Sequence, residues 1–416
     1  MKITDVRLLL PKDCSYFNNG EISGNIKNRG WVSRTKVANP MSIYPAYAAE
    51  RVSWMGPGQE HYAIEIETDT GLVGVCANYY GGALACQIIH SHYRRFLIGA
   101  DPFDTELLWQ QMHRSSLPYG LGGLTGMAQS GVDLALWDLK GKILNQPVYK
   151  LIGGATKPQG IPCYITCHPD YAKHWKDKGF LGVKISAPYG IESGLNGVLK
   201  MAEIIRDLRE AVGPTMEIMV DCYMSWSLDF TCRVAERVRD CNVKWFEDAL
   251  PNGWAAKQYA ELRRRVSPIM ITNGNMEYHY KAFHDLIEAG STDVIQPELH
   301  WVGGLTPALW IAAFARPYQI PVVPHGPDVY HYHFVMATTD AHYAEFVPGG
   351  DGTEIKPIFE LLLDQPMPVN GKMHLPDKPG FGLRLNHERL RPFILPESKE
   401  SVRPRSVHAP AMPAMV

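Results

Sequence analysis

From about residue 161 onward the chain repeats one pattern: an apolar run of four to six residues that ends in a polar group, followed by a stretch of helical periodicity. The runs EIMVD, VKWFE and PIMITNGN lead to Asp221, Glu247 and Asn275, at intervals of 26 and 28 residues. A short apolar run ending in a polar side chain marks a buried parallel strand. Repetition at that spacing, with helical sequence between, marks consecutive βα units. The pattern predicts strands at 161–166, 181–185, 217–221, 244–247, 269–273, 294–296, 321–324 and 344–347, close to what a (β/α) barrel requires. Before about residue 130 the pattern differs. An opening strand, MKITDVRLLLP, is followed by an irregular Gly-, Asn- and Pro-rich segment, 13–57. Residues 63–68 then alternate, Asp69-Thr70-Gly71 turns, and 72–76 returns, which is a β-hairpin signal. Helical patterning follows at 83–96 and 104–112, so this part reads as α+β. The turn-rich segment beginning at 367 is expected to return to the first domain, and 396–416, without periodicity, reads as a disordered tail. The organisation expected is a capping domain 1–130 completed by 367–395, a barrel 131–366, and the tail.

Composition narrows the class without changing the fold. The chain has 416 residues and a formal net charge of −2, with no basic stripe for nucleic acid. No apolar run approaches the roughly 20 residues of a membrane span, and the N-terminus lacks the apolar core of a signal peptide. Eight scattered cysteines show no metal-site spacing; Cys163 and Cys167 share one predicted strand with no second pair. Reduced thiols and a cytoplasmic location are expected.

Active sites in such barrels lie at the carboxyl ends of the strands. Asp221, Glu247 and Asn275 would therefore converge, and oxygen ligands suit a hard cation such as Mg²⁺. Each alone could be a helix N-cap; capping does not predict all three on successive strands. Glu277 is a rival to Asn275, and Asp248 to Glu247. Glu298 stands just past the sixth predicted strand and His325 just past the seventh. A solvated Glu and a structural His are the ordinary readings of such residues taken singly. Together, the carboxylate could hold one imidazole nitrogen and fix the tautomer of a base. His331 and His333, set among aromatics, read as packing residues or pocket walls. Glu345 ends the eighth strand, where a salt-bridged residue is the plain alternative. This ring suits removal of a proton next to a carboxylate. A divalent ion would stabilise the resulting enediolate by roughly several kcal/mol, a positioned base would add about 10²–10⁴-fold, and Glu345, if protonated or bridging through water, could donate to the other oxygen.

These residues, with VANPMSIY, GVDLALWDLKGKILNQPVYKLIGG, VDCYM, KWFEDALP, ITNGN, QPELHWVGGLT, VVPHGPDVY, AEF and DKPGFGLRLN, carry a resemblance that spans most of the chain. The sequence resembles the enolase superfamily, and within it the mandelate racemase-like acid-sugar dehydratases, most closely the L-rhamnonate dehydratases. The resemblance implies an α/β fold, a modified (β/α)₇β TIM-type barrel beneath an α+β capping domain. It implies Mg²⁺ on Asp221, Glu247 and Asn275, His325 as the base that takes the C2 proton and then assists departure of the C3 hydroxyl, and Glu345 as a hydrogen-bonding partner of the enediolate. The product implied is a 2-keto-3-deoxy acid. Three departures stand out. Asn275 occupies a position that is usually Glu. Glu298 replaces the usual Asp of the His dyad. Lys184-Ile185-Ser186 lacks the second Lys of Lys-x-Lys, which disfavours two-base racemisation. Lys184, Tyr223 and, by a looser match, Arg51 are expected to contact substrate. The partners expected are a small sugar acid and further copies of the chain in a homo-oligomer. Two rival readings stand beside the dehydratase: a cycloisomerase or epimerase using the same enediolate, and a non-catalytic binding protein on this scaffold.

Overall fold

The structure, a computed structural model, describes residues 1–12, 17–18, 21–22, 30–48, 56, 59–253 and 256–395. Arg51, parts of segment 13–57 and the expected tail 396–416 lie outside the described residues.

The N-terminal part forms an antiparallel sheet of β1 (Ile3–Pro11), β2 (Tyr62–Thr68) and β3 (Val73–Asn78). β1 lies between β2 and a short strand, Leu390–Pro392, so the end of the described chain closes the edge of this sheet. The hairpin registers Tyr62 against Asn78, as its alternation and Asp-Thr-Gly turn predict. A long helix, α1 (Leu124–Ile143), covers the sheet and runs across the boundary expected at residue 130. It is buried nearly all round, and its apolar residues are spread round the helix instead of lying along one stripe. The Asp138 carboxylate on α1 accepts the Val75 N–H of β3 and the Phe381 N–H of the C-terminal segment. One buried side chain thus ties three parts of the chain together.

The second part alternates strand and helix: β4 (Ile161–Thr166), β5 (Gly182–Ser186), α2 (Gly194–Val212), β6 (Glu217–Asp221), α3 (Leu228–Arg237), β7 (Val243–Glu247), α4 (Ala256–Val266), β8 (Met270–Asn273), α5 (His279–Glu288), β9 (Val294–Ile295), α6 (Leu305–Ala315), α7 (Val329–Ala337) and β10 (Ala344–Phe346). Neighbouring strands are parallel, in the order β9-β8-β7-β6-β5-β4-β10. The run expected at 321–324 is reduced to a single parallel bridge between Val322 and Ile295. Pro321 and Pro324 flank Val322 and Val323 and have no N–H to donate to a ladder. Val322 N–H reaches Asp340 O, just ahead of β10, and links the two ends of the curled sheet. The sixth strand stops at Ile295, one residue short of the expectation.

Because side chains alternate along a strand, each barrel strand has one face toward the helices and one toward the barrel axis. Ile218 and Val220 of β6 join the large core shared with the helices. Tyr164, Met219, Trp245, Val294 and Val323, with Met270 and Tyr343 packed on them, form a separate buried plug. Moving two residues along from each plug side chain gives Thr166, Asp221, Glu247, Gln296, His325, Thr272 and Glu345. A polar layer therefore lies directly above an apolar one.

Candidate active site

Hydrogen bonds join most of that polar layer into a chain across the barrel. Lys184 Nζ of β5 lies 2.8 Å from Glu247 Oε1, 3.0 Å from Glu247 Oε2 and 3.0 Å from Glu345 Oε1. The Thr166 hydroxyl donates to Glu345 Oε1. On the other side, Gln296 Nε2 donates to Glu247 Oε2 at 3.1 Å, and Thr272 Oγ1 donates to Gln296 Oε1 at 2.8 Å. Lys184 is buried, yet burial, which disfavours its charge, is outweighed by Glu247 and Glu345, and its pKa stands well above the usual range. It is a fixed cation between two carboxylates. Thr166, Thr272 and Gln296 are members that the strand-end search did not single out; the alternation of two residues from the plug would have found them.

Asp221 and Glu247 are opposed in register at the ends of β6 and β7. Burial, reinforced by the Glu247 charge, pushes the Asp221 carboxyl well above its ordinary pKa, against the opposing pull of Lys184. Asp221 Oδ1 accepts the Tyr223 N–H at 3.0 Å. Past these strand ends Tyr223, Met224 and Asp248 all take left-handed φ values of 47°, 58° and 43°. Non-glycine residues seldom adopt that region, and it concentrates at sites where a loop must re-aim its side chains. Asp248 accepts from Asn252 Nδ2 at 3.2 Å, within its own loop. Asn275 is buried, and its Oδ1 has no hydrogen-bond partner among the described residues. Glu277 Oε1 instead accepts the Gly253 N–H at 2.7 Å, which turns that carboxylate toward the loop after β7.

The opposite side holds the histidines. His325 Nδ1 lies 2.9 Å from Glu298 Oε2, so the sequence-predicted pair is in contact. The His325 side chain is 18% exposed and that of Glu298 1%. Burial lowers the pKa of His325, but the Glu298 hydrogen bond and the Glu345 charge outweigh it and leave the ring above its usual value. Gly326 follows His325 with φ +109°; a Cβ there would come within 2.8 Å of Glu298 Oε2 and 3.0 Å of the His331 ring. Its N–H donates to Glu345 Oε2 at 3.0 Å. Burial opposes the charge on Glu345, yet Lys184 and His325 hold its pKa down to about 2. Glu345 is therefore a carboxylate, which leaves the water-bridged form of the donor role expected for it.

His331 departs from its expected packing role. Its Nε2 lies 2.9 Å from Glu298 Oε1, and its Nδ1 lies 2.8 Å from Asp328 Oδ1. Asp328 also caps α7 and meets His300 Nε2 at 2.7 Å. The signal was present in the sequence as an Asp three residues before a His at a helix start. His333 does pack, accepting the Tyr149 N–H on Nδ1 at 3.1 Å. Among the described residues no helix is long and apolar enough to cross a membrane, and the seven described cysteines are unpaired.

The chain matches the family model described as Enolase C-terminal domain-like over residues 169–389. It matches the Mandelate racemase / muconate lactonizing enzyme N-terminal domain over residues 51–153. The L-rhamnonate dehydratase of Saccharopolyspora erythraea is 40% identical over 357 residues, 85% of this chain and 90% of that protein. The crystal structure of rhamnonate dehydratase from Gibberella zeae complexed with Mg is 37% identical, with a TM-score of 0.86 over 94% of this chain and 96% of that one. The 3,6-anhydro-D-galactonate cycloisomerase of Zobellia galactanivorans shares the fold, with a TM-score of 0.74 at 24% identity over 94% of this chain and 100% of that one.

Proposed function

Since the chain belongs to the enolase superfamily, we propose that it is a Mg²⁺-dependent hydro-lyase. Its substrate is a sugar acid of the rhamnonate type and its product a 2-keto-3-deoxy acid. The observation that carries this reading is a charged ring with a single base. His325 is held on Glu298, whereas Lys184 is consumed by Glu247 and Glu345. A lysine fixed as a cation cannot serve as an opposing base, which favours one-base elimination over two-base racemisation.

Asp221, Glu247 and Asn275 are the residues we assign to the metal. Two features fit a cation: the partnerless Oδ1 of Asn275 and the raised pKa of buried Asp221 beside Glu247. Bound Mg²⁺ supplies positive charge to the substrate carboxylate, worth on the order of several kcal/mol as the C2 proton leaves. His325 presents Nε2 to that proton because Nδ1 is engaged by Glu298. The same ring, now protonated, gives its proton to the departing C3 hydroxyl, which leaves as water. The enol that remains tautomerises to the 2-keto-3-deoxy acid. Glu345 and Lys184 hold charge beside the base, and Tyr223 lies next to the metal residues. Homo-oligomeric assembly accompanies this reading and is checked by light scattering.

The test is purified protein with Mg²⁺ against a panel of aldonates and aldarates, followed by semicarbazide detection of 2-keto acid. Product from at least one of them is expected. Complete absence of product overturns the reading, and deuterium exchange at C2 without loss of water would replace it with an epimerase.

A further inference from the structure

The base dyad does not end at Glu298. A line of alternating histidines and acids runs on behind it: His325, Glu298, His331, Asp328, His300. All but His325 are about 99% buried, each with 1% side-chain exposure. Both ring nitrogens of His331 face carboxylate oxygens, at 2.9 and 2.8 Å. Neither contact is aligned as a hydrogen bond, and Nδ1 has no hydrogen-bond partner among the described residues, but two buried carboxylates at ion-pair distance favour the charged ring. The Leu299 N–H also lies 3.1 Å from Nε2, a contact that only a neutral ring accepts. Two buried anions outweigh one amide.

We propose that His331 is a positioning residue for the reaction: clamped as an imidazolium between Glu298 and Asp328, it fixes the second oxygen of Glu298 and takes up part of its negative charge. His325 therefore faces a carboxylate that is already half-neutralised. The proposal rests on His325 being the base. Both oxygens of Glu298 are engaged. One oxygen serves His325, while the other reaches His331 and, at 3.0 Å, the His300 N–H.

The charged groups facing His325 are Glu298, Glu345 and Lys184, with Asp248 beyond them. Those facing His331 are Glu298 and Asp328, with the His300 ring 5.5 Å away. Burial works against charge on His331, but Asp328 and Glu298 raise its pKa to about 10. Burial likewise works against charge on Glu298, yet His331 and His325 bring it down to about 2. A metal offers the alternative account of this pocket, since Glu298, His300 and His331 present ligand atoms within 4.8 Å of one another. A ligating imidazole nitrogen must give up its proton, and His331 has a carboxylate on each side to retain both.

The test uses the full-length, Mg²⁺-loaded protein with ¹³C-labelled histidine, read by NMR from about pH 6 to about pH 9. His331 is expected to remain an imidazolium throughout, a result that needs neither substrate nor variant. In His331→Gln, Glu298 recovers its full charge. The His325 titration and the acid limb of kcat/KM should then both move up by about one pH unit. Near neutral pH kcat/KM should fall about tenfold, and the high-pH plateau should change little. A merely structural role would lower activity at every pH and leave the limb in place. Three results overturn the inference: titration of His331 inside the window, a transition ion found on Glu298, His300 and His331, or an unmoved His325 titration in His331→Gln. If no sugar acid is turned over, the functional reading fails, and the NMR result still decides the role of His331.

Discussion

The two sides of the barrel mouth handle buried charge in opposite ways. On the metal side Asp221 and Glu247 sit together with Lys184 as the nearby cation, and Asp221 is left with a strongly raised pKa. On the base side Glu298 and Asp328 are both pushed below their ordinary range, because histidines meet them at 2.7–2.9 Å. Both sides are equally buried, so burial cannot explain the difference. The difference is pairing. The base side carries its counter-charges within the chain, and the side we assign to the metal is short of one among the described residues.

The largest effect should come from removing the cation that the metal side does possess. Lys184→Met leaves Glu247 and Glu345 buried without their shared partner. A loss of about 3–5 kcal/mol of stability is expected in metal-free protein, measured by thermal unfolding. Mg²⁺ should restore part of it by giving Glu247 a new counter-charge, and a loss untouched by Mg²⁺ would break the comparison. Next comes the hydrogen bond that orients Glu247. Gln296→Leu removes the Nε2 donor to Oε2 and should weaken Mg²⁺ binding about 10–100-fold by calorimetry. The smallest effect sharpens the coupling between the sides. His325 has a raised pKa, so its neutral, proton-accepting form predominates only above a pH higher than 6.5. In metal-free protein NMR should place this titration above 6.5, and added Mg²⁺ should move it down, because a nearby cation disfavours the imidazolium.

Period and position made much of this legible in the chain. Apolar runs ending in a polar residue place β4, β6, β7, β8 and β10 within one residue of their observed limits. The expected seventh strand is a single bridge: Val322-Val323 has the hydropathy of a strand, whereas the prolines on either side remove ladder donors. The dyad of Glu298 and His325 followed from adjacent strand ends. His331 is less legible: periodicity tells which face a residue shares, and its partner Glu298 lies 33 residues away in the loop after β9. Lys184 was expected at the pocket; that it is locked between two carboxylates depends on strand register, which hydropathy alone does not supply. Asn275 and Glu277 differ by two positions in sequence, but only the structure shows that one oxygen has no partner among the described residues and the other carboxylate is engaged.

The most direct test of this division is calorimetric titration of Mg²⁺ into His325→Asn and Asp221→Asn, each also assayed for 2-keto acid. His325→Asn should bind Mg²⁺ with close to wild-type affinity while its turnover drops by about 10²–10⁴-fold; Asp221→Asn should lose both. Loss of Mg²⁺ binding in His325→Asn, or undiminished binding in Asp221→Asn, would contradict the separation of the site into a side that awaits a cation and a side that is complete without one.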